Sequence, residues 1–496
     1  MRAFLKMFLA SFLALLVFCV IGFFFFIAIV AALGSSDKPH IADKSVLRID
    51  LGQHFAEQER RNPLRRLSGG EADAPGLYDV VRMIRKASDD KNIAGIYLQA
   101  DDNGNGYAAS EELRSALSAF KKKGKFIIAH GNRMSQKAYY VATVADKIYL
   151  GPQGMLEWKG LAVELMFFKN ALDRLRIQPQ IFYAGKFKSA TEPFRSDRMT
   201  PENRLQTQEF LGDINQVLLY RISQSRLIDT ASLHRLANEG SIQNANDALR
   251  YKLVDGLRYD DELRNELKQR AGISKEGKLA FVEVDSYADA VSFKETGDSR
   301  IALIYAEGTI IDGSGDREMI GDEDYIRWIR KARLDKSVKA IVFRINSGGG
   351  SALASENIWR ELKLAKEAKP LVVSFGDVAA SGGYYVATAA DSIFALPNTI
   401  TGSIGVFSML PNLQGFFNEK LGITFDGVKT ANYADQNNPF RALTPAEQGF
   451  QQREVERIYS VFKQRVADGR RRDTAYIDSI AQGRVWSGEK ALQLGL

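Results

Sequence analysis

Ala340-Ile341-Val342-Phe343-Arg344-Ile345-Asn346-Ser347-Gly348-Gly349-Gly350 is the stretch on which the reading of the fold turns. An apolar run interrupted only by Arg344 has the length of a buried strand, and three glycines close it with a tight turn. Outward along the chain, 356–366 places apolar residues at helical spacing, 371–375 is another β-type run, and 382–390 another helix. In the other direction lie an amphipathic helix at 323–333 and a strand at 301–305. Strand and helix in steady alternation predict a layered α/β domain with a mostly parallel sheet.

The same pattern occurs once before, displaced by 245 residues. Ile84-Arg85-Lys86-Ala87 aligns with Ile329-Arg330-Lys331-Ala332, and Ala109-Ser110-Glu111 with Ala354-Ser355-Glu356. Tyr139-Tyr140-Val141-Ala142-Thr143 aligns with Tyr384-Tyr385-Val386-Ala387-Thr388, and Asp146 then falls on Asp391. A period of this size is a domain duplication, not a solenoid. A helical segment, 201–269, follows the first copy's core and is answered by 445–496. The expected organisation is a cytoplasmic start and anchor over 1–44, a first copy over 45–295 and a second over 296–496. Residues 491–496 match 248–253, after which the first copy continues Val254-Asp255-Gly256-Leu257, so the second copy is expected to be incomplete at its C-terminal end.

With 496 residues, 45% hydrophobic and 26% charged, the chain can bury the cores of about two domains. Its net charge of +7 is spread through mixed-sign segments, which argues for solvated helix faces and against a nucleic-acid footprint. Two basic clusters, Arg60-Arg61 with Arg65-Arg66 and Lys121 to Lys125, read as a linker and as a helix end. Cys19 is the only cysteine, which excludes an intrachain disulfide and a cysteine metal cluster, and Phe18 before it excludes a lipoprotein acylation site. Residues 7–33 carry no charge. That run is longer than a secretory signal core and long enough for an anchor. Arg2 and Lys6 before it place the N-terminus in the cytoplasm and the body across the membrane, in the periplasm of a bacterium.

The two copies differ in chemistry. Ser381-Gly382-Gly383 lies over Gln136-Lys137-Ala138, and the glycine turn lies over Asp101-Asp102-Asn103-Gly104-Asn105. One active site and one degenerate copy follow. Ser381 is expected after the 371–375 strand and a short loop, at the start of a helix whose free N–H groups favour developing negative charge. Taken alone such a serine is a helix cap. Beside it, Gly382 allows substrate to approach its N–H, and the glycines at 348–350 can supply a second oxyanion donor. That turn lacks the residues of a phosphate loop or a dinucleotide fingerprint. None of the four histidines, His40, His54, His130 and His234, lies in the second copy, which leaves a lysine as the base, provided burial lowers its pKa. Lys186 and Lys188 are both candidates, and if 185–189 runs extended both face one side.

Gly376-Asp377-Val378-Ala379-Ala380-Ser381-Gly382-Gly383-Tyr384 and Lys188-Ser189-Ala190-Thr191-Glu192-Pro193-Phe194 resemble the signal peptide peptidase A family of membrane-bound Ser-Lys proteases, in its long tandem form. The resemblance extends over nearly everything after the anchor. It implies Clp-protease/crotonase-like domains, Ser381 as nucleophile, Lys188 as base, and Gly349 and Gly382 as oxyanion donors. Ser403, within Thr401-Gly402-Ser403-Ile404-Gly405, is implied as the residue orienting the lysine. No metal or organic cofactor is implied. The implied partners are cleaved signal peptides and other hydrophobic peptides, the lipid bilayer and further copies of the chain, as a dome-like homo-oligomer (tetramer). Many relatives carry proline where this chain has Gly348, a change that leaves every N–H of the turn in place.

Overall fold

The computed structural model describes residues 2–34, 41–59, 75–291, 293, 297–316 and 318–496, with side chains of the first helix to residue 26. The cluster of Arg60, Arg61, Arg65 and Arg66 and the expected boundary between 295 and 296 lie outside these residues. Helix α1 (Arg2–Gly34) begins the chain. Its first 25 described residues, Arg2–Phe26, carry no charge apart from Arg2 and Lys6 and have exposed side chains, and at ~1.5 Å per residue they exceed the ~30 Å of a bilayer's hydrocarbon core.

In the first copy, β1 (Ser45–Asp50), α2 (Leu77–Asp89), β2 (Ile93–Gln99), α3 (Tyr107–Lys121), β3 (Phe126–Met134), α4 (Gln136–Ala142) and β4 (Lys147–Leu156) alternate. Helix α2 shows why. Leu77, Val80, Val81, Ile84 and Ala87 recur at helical spacing and are its buried face. After β5 (Gln178–Ala184) and the long α5 (Pro201–Arg226), the strands β6 (Gly256–Leu257) and β7 (Phe281–Glu283) complete a parallel sheet of order β6-β4-β3-β2-β1-β7.

The second copy runs β8 (Arg300–Glu307), β9 (Thr309–Ile311), β10 (Met319–Gly321), α6 (Asp322–Leu334), β11 (Val338–Ser347), α7 (Ala352–Ala368), β12 (Leu371–Ala380), α8 (Gly382–Ala387), β13 (Ser392–Phe394), β14 (Ile400–Gly402), β15 (Val406–Asn412), α9 (Pro445–Arg470) and β16 (Val485–Ser487). Its main sheet has the order β16-β14-β12-β11-β8, with only β16 antiparallel. The repeat extends to single contacts. Tyr140 donates its hydroxyl to Glu111 as Tyr385 does to Glu356, and Asp146 and Asp391 each accept an N–H at the start of the preceding strand.

Two expected boundaries shift. Strand β12 continues past Phe375 to Ala380, because Val378 to Ala380 find a fresh partner in β14 after the ladder to β11 slips between Ile345 and Ser347. No loop therefore separates the strand from Ser381. Helix α8 ends at Ala387 and not at 390, since Thr388, Ala389 and Ala390 close three-residue turns instead of helical ones.

The copies interlock. Strand β5 of the first pairs antiparallel with β15 of the second, from Ala184 opposite Val406 to Gln178 opposite Asn412. Phe182 and Ala184 thereby join the second copy's core. From the second copy, Asp377 accepts the N–H groups of Ala108 and Ala109 at 2.8 and 3.1 Å, satisfying donors at the start of α3. Arg344 on β11 is buried between Glu57 and Glu112 of the first copy, at 2.8 and 2.6 Å.

Candidate active site

Ser381 sits where β12 passes directly into α8. Its φ of 53° and ψ of −119° are a strained combination for a residue with a side chain. The surroundings hold it there: its N–H bonds Gly402 O at 3.0 Å and its carbonyl accepts from Tyr385 N at 2.8 Å. The side chain makes no capping bond to α8. Its Oγ faces Lys188 Nζ at 3.1 Å.

Lys188 arrives from the other copy, just after β5. Residues 185–188 form a turn closed by Lys188 N–H to Gly185 O at 3.0 Å, so the chain is not extended there. The turn separates the two lysines: Lys186 points to solvent and Lys188 is 4% exposed. Lys188 Nζ also lies 3.0 Å from Ser403 Oγ and 3.1 Å from Ser403 O. Burial alone pushes its pKa down, to about 7, with no carboxylate among the described residues to hold the proton. In the neutral amine, two N–H groups bond Ser403 O and Oγ and the lone pair faces the Ser381 hydroxyl.

The turn carrying Lys188 is fixed from two sides. Phe187 N–H bonds Gln482 O, and Ser403 N–H bonds Arg484 O, so one short segment near the C-terminal end clamps both the lysine and its hydroxyl partner. Gly483, between them, has φ +76°, and a Cβ there would lie 2.7 Å from Lys188 N. On the other side Gln206, 2% exposed, donates to Phe187 O at 3.1 Å and to Ser189 Oγ at 2.8 Å. Sequence reading missed 482–484 and Gln206, because neither belongs to a motif and only the folded chain brings them to the lysine.

Gly349 packs directly on the serine. It has φ +99°, and a Cβ on it would lie 2.5 Å from Gly382 N and 2.9 Å from Ser381 Cβ. Any side chain there would cover the Gly382 N–H, which among the described residues has no acceptor. The Gly349 N–H itself points to Ser347 Oγ at 3.1 Å, while that hydroxyl donates to Gly308 O at 2.6 Å. In the first copy Gln136 fills the matching place, and its Oε1 accepts from Lys159 N and Gly160 N. No cluster of three or more metal-ligating side chains occurs among the described residues.

The model of "Peptidase family S49" matches residues 119–274 and 363–496, one segment in each copy. "Protease 4" of Salmonella typhi is 36% identical over 500 residues, covering 96% of this chain and 80% of the relative. "Protease 4" of Haemophilus influenzae is 35% identical with the same coverage. "Serine protease SPPA, chloroplastic" of Arabidopsis thaliana is 34% identical over 421 residues, 83% of this chain and 62% of the relative. Likeness of this extent takes in both sheets and both sides of the Ser381–Lys188 contact, and with it the chain belongs to peptidase family S49, in the long form that carries the domain twice.

Proposed function

We propose that the chain is a membrane-anchored serine endopeptidase in which Ser381 is the nucleophile and Lys188 the general base. The observation that carries this reading is a lysine buried without a counter-ion, with its Nζ 3.1 Å from the hydroxyl of a strained serine. Neutral Lys188 takes the proton of Ser381 as Oγ attacks the peptide carbonyl. The resulting ammonium passes that proton to the leaving amine, and a water then releases the acyl group by the same route in reverse. Gly382 N–H supplies one oxyanion donor. Gly349 N–H supplies the other, since an anionic oxygen outcompetes the neutral Ser347 hydroxyl on which it rests. Ser403 orients the lysine and steers its lone pair to Ser381.

The resemblance adds the substrate class: cleaved signal peptides and other hydrophobic peptides at the cytoplasmic membrane. The basic residues before α1 support a periplasmic body. A homo-oligomer, a tetramer by the same resemblance, completes the reading. The test is a serine-directed phosphonate on the full chain. Wild type should be labelled at Ser381 and lose hydrolysis, and Ser381→Ala should do neither reaction while keeping its unfolding midpoint. Peptide hydrolysis by purified Ser381→Ala would remove this residue from the mechanism.

A further inference from the structure

Four adjacent strands of the first sheet, β3-β2-β1-β7, run parallel and start nearly level: Ser45 stands opposite Ile93, Gly95 opposite Phe126 and Val46 opposite Phe281. The turns leading into them therefore form one row at a single end of the sheet, about 14 Å across at ~4.8 Å per strand. Lysines collect on it. Lys44 precedes β1, Lys91 precedes β2, the run from Lys121 to Lys125 precedes β3, and Lys275 and Lys278 precede β7. Lys44 Nζ bonds Gly272 O at 2.8 Å, which ties the turn before β1 to the turn before β7.

The aspartates around these turns are engaged within the copy. Asp90 accepts the Asn92 N–H and the Tyr287 hydroxyl at 3.0 Å each, and Asp89 pairs with Lys123 at 3.0 Å. Asp146, in the next turn of the sheet, accepts the Ile127 N–H at 2.8 Å and pairs with Lys121 at 2.9 Å. Asp43 and Glu276 are the acids left in the row. Lys91, Lys122, Lys275 and Lys278 are exposed and have no ion-pair partner among the described residues. The apolar helix is joined to the chain at this same place. From Gly34, which ends α1, to Ile41, which packs on the first core, are seven chain steps, so the row lies within about 25 Å of the end of the span. The catalytic copy meets the first at the opposite end of α3. Asp377, four residues before Ser381, bonds the first turn of that helix, and Lys121 is its last residue. Its 15 residues put the row about 22 Å from that junction.

We propose that this row of lysines rests on the anionic phospholipid headgroups of the bilayer that holds α1. The proposal rests on the membrane-anchored reading above and adds a second contact to it. A span fixes where the body is held but not which end of it faces the bilayer. The row decides that: it turns the starts of β1, β2, β3 and β7 toward the surface and the junction with the catalytic copy away from it. Single ammonium groups strung along a row match a field of phosphates, not one bound anion. Beside an anionic surface each lysine is worth about fivefold in partition, so the four unpaired side chains together favour the facing orientation by on the order of 10²–10³. The attraction fades within a Debye length, which makes the orientation dependent on salt.

The test uses the full chain in nanodiscs of phosphatidylcholine, alone or mixed with phosphatidylglycerol. Lysines are acetylated with a neutral N-hydroxysuccinimide ester and read one by one by mass spectrometry. In the anionic discs Lys91, Lys122, Lys275 and Lys278 should react about three- to tenfold more slowly, and salt on the order of 0.5 M should restore their rates. Lys159, exposed beyond the far end of β4, and the exposed Lys186 should react alike in both discs. Lys122→Glu/Lys278→Glu should remove the protection of Lys91 and Lys275 while leaving peptide hydrolysis in detergent unchanged. Equal acetylation of the row in the two discs overturns the headgroup contact alone. Protection in detergent by inorganic phosphate, as strong as in the anionic discs, overturns it too and assigns the lysines to a soluble anion. Release of the chain from membranes by alkaline carbonate overturns the anchored reading, and the proposal with it.

Discussion

Replacing Lys188 with methionine tests the site through stability as well as activity. Burial lowers the lysine from 10.5 to about 7, and at ~1.36 kcal/mol per pH unit that difference sets an upper bound of about 5 kcal/mol on the cost of keeping it charged in the fold. Because the folded value lies below the unfolded one, the unfolded chain binds more protons between about 7 and 10.5, and wild-type stability rises with pH across that window. Methionine fills similar space without a charge. Lys188→Met should therefore be inactive yet more stable than wild type at pH 6, with the gap closing as pH approaches 10. Urea midpoints of both proteins, taken in detergent at one-unit steps, give the difference directly and cancel every other titrating group. The same experiment constrains catalysis: kcat/KM of wild type should rise along a limb centred near 7. A stability difference that stays flat with pH would refute the reasoning, and an activity limb near 7 beside it would belong to some other group.

Lys188→Arg should be as inactive as Lys188→Ala, since a guanidinium does not release its proton near neutral pH, whereas the exposed Lys186→Ala should keep both rate and pH limb in the same hydrolysis assay. Gly483→Ala presses on Lys188 N and should lower kcat on the order of 10–100-fold with little change in KM, measured on a soluble peptide. Arg344→Ala leaves Glu57 buried without its partner and should destabilise the chain by about 3–5 kcal/mol at pH 8. Burial raises Glu57 to about 7 even with Arg344 holding it down, so without Arg344 the carboxyl protonates at still higher pH and the deficit should shrink as pH falls toward 7, which urea midpoints at pH 5.5 and 8 would register.

The alternation of strand and helix was legible because β11 and β12 are largely buried and read as apolar runs broken at few positions, Arg344 in the one and Ser374 in the other. The duplication was legible because contacts such as Tyr385 to Glu356 need the same residues at the same spacing in each copy. Ser381 and the glycine turn announced themselves through composition, and the fold sets them against each other. What local pattern did not give was a contact between copies; the pairing of Lys188 with Ser381 came from the motif resemblance. Alternation alone left Lys186 and Lys188 equivalent, and the tight turn at 185–188 is what separates them. The pairing of β5 with β15, the clamp at 482–484 and the Asp377 contact to α3 join residues hundreds of positions apart, with no local pattern to mark them.

The contact between Lys188 and Ser381 spans 193 residues and two copies. Loop closure over such a distance is among the last events of folding, because its entropy is recovered only when both partners are already ordered. On the proposed mechanism, a chain whose two halves have not docked carries a serine with no base and a lysine with nothing to activate. On that mechanism the duplication works as a safety catch: the blade is armed only when the two halves have met.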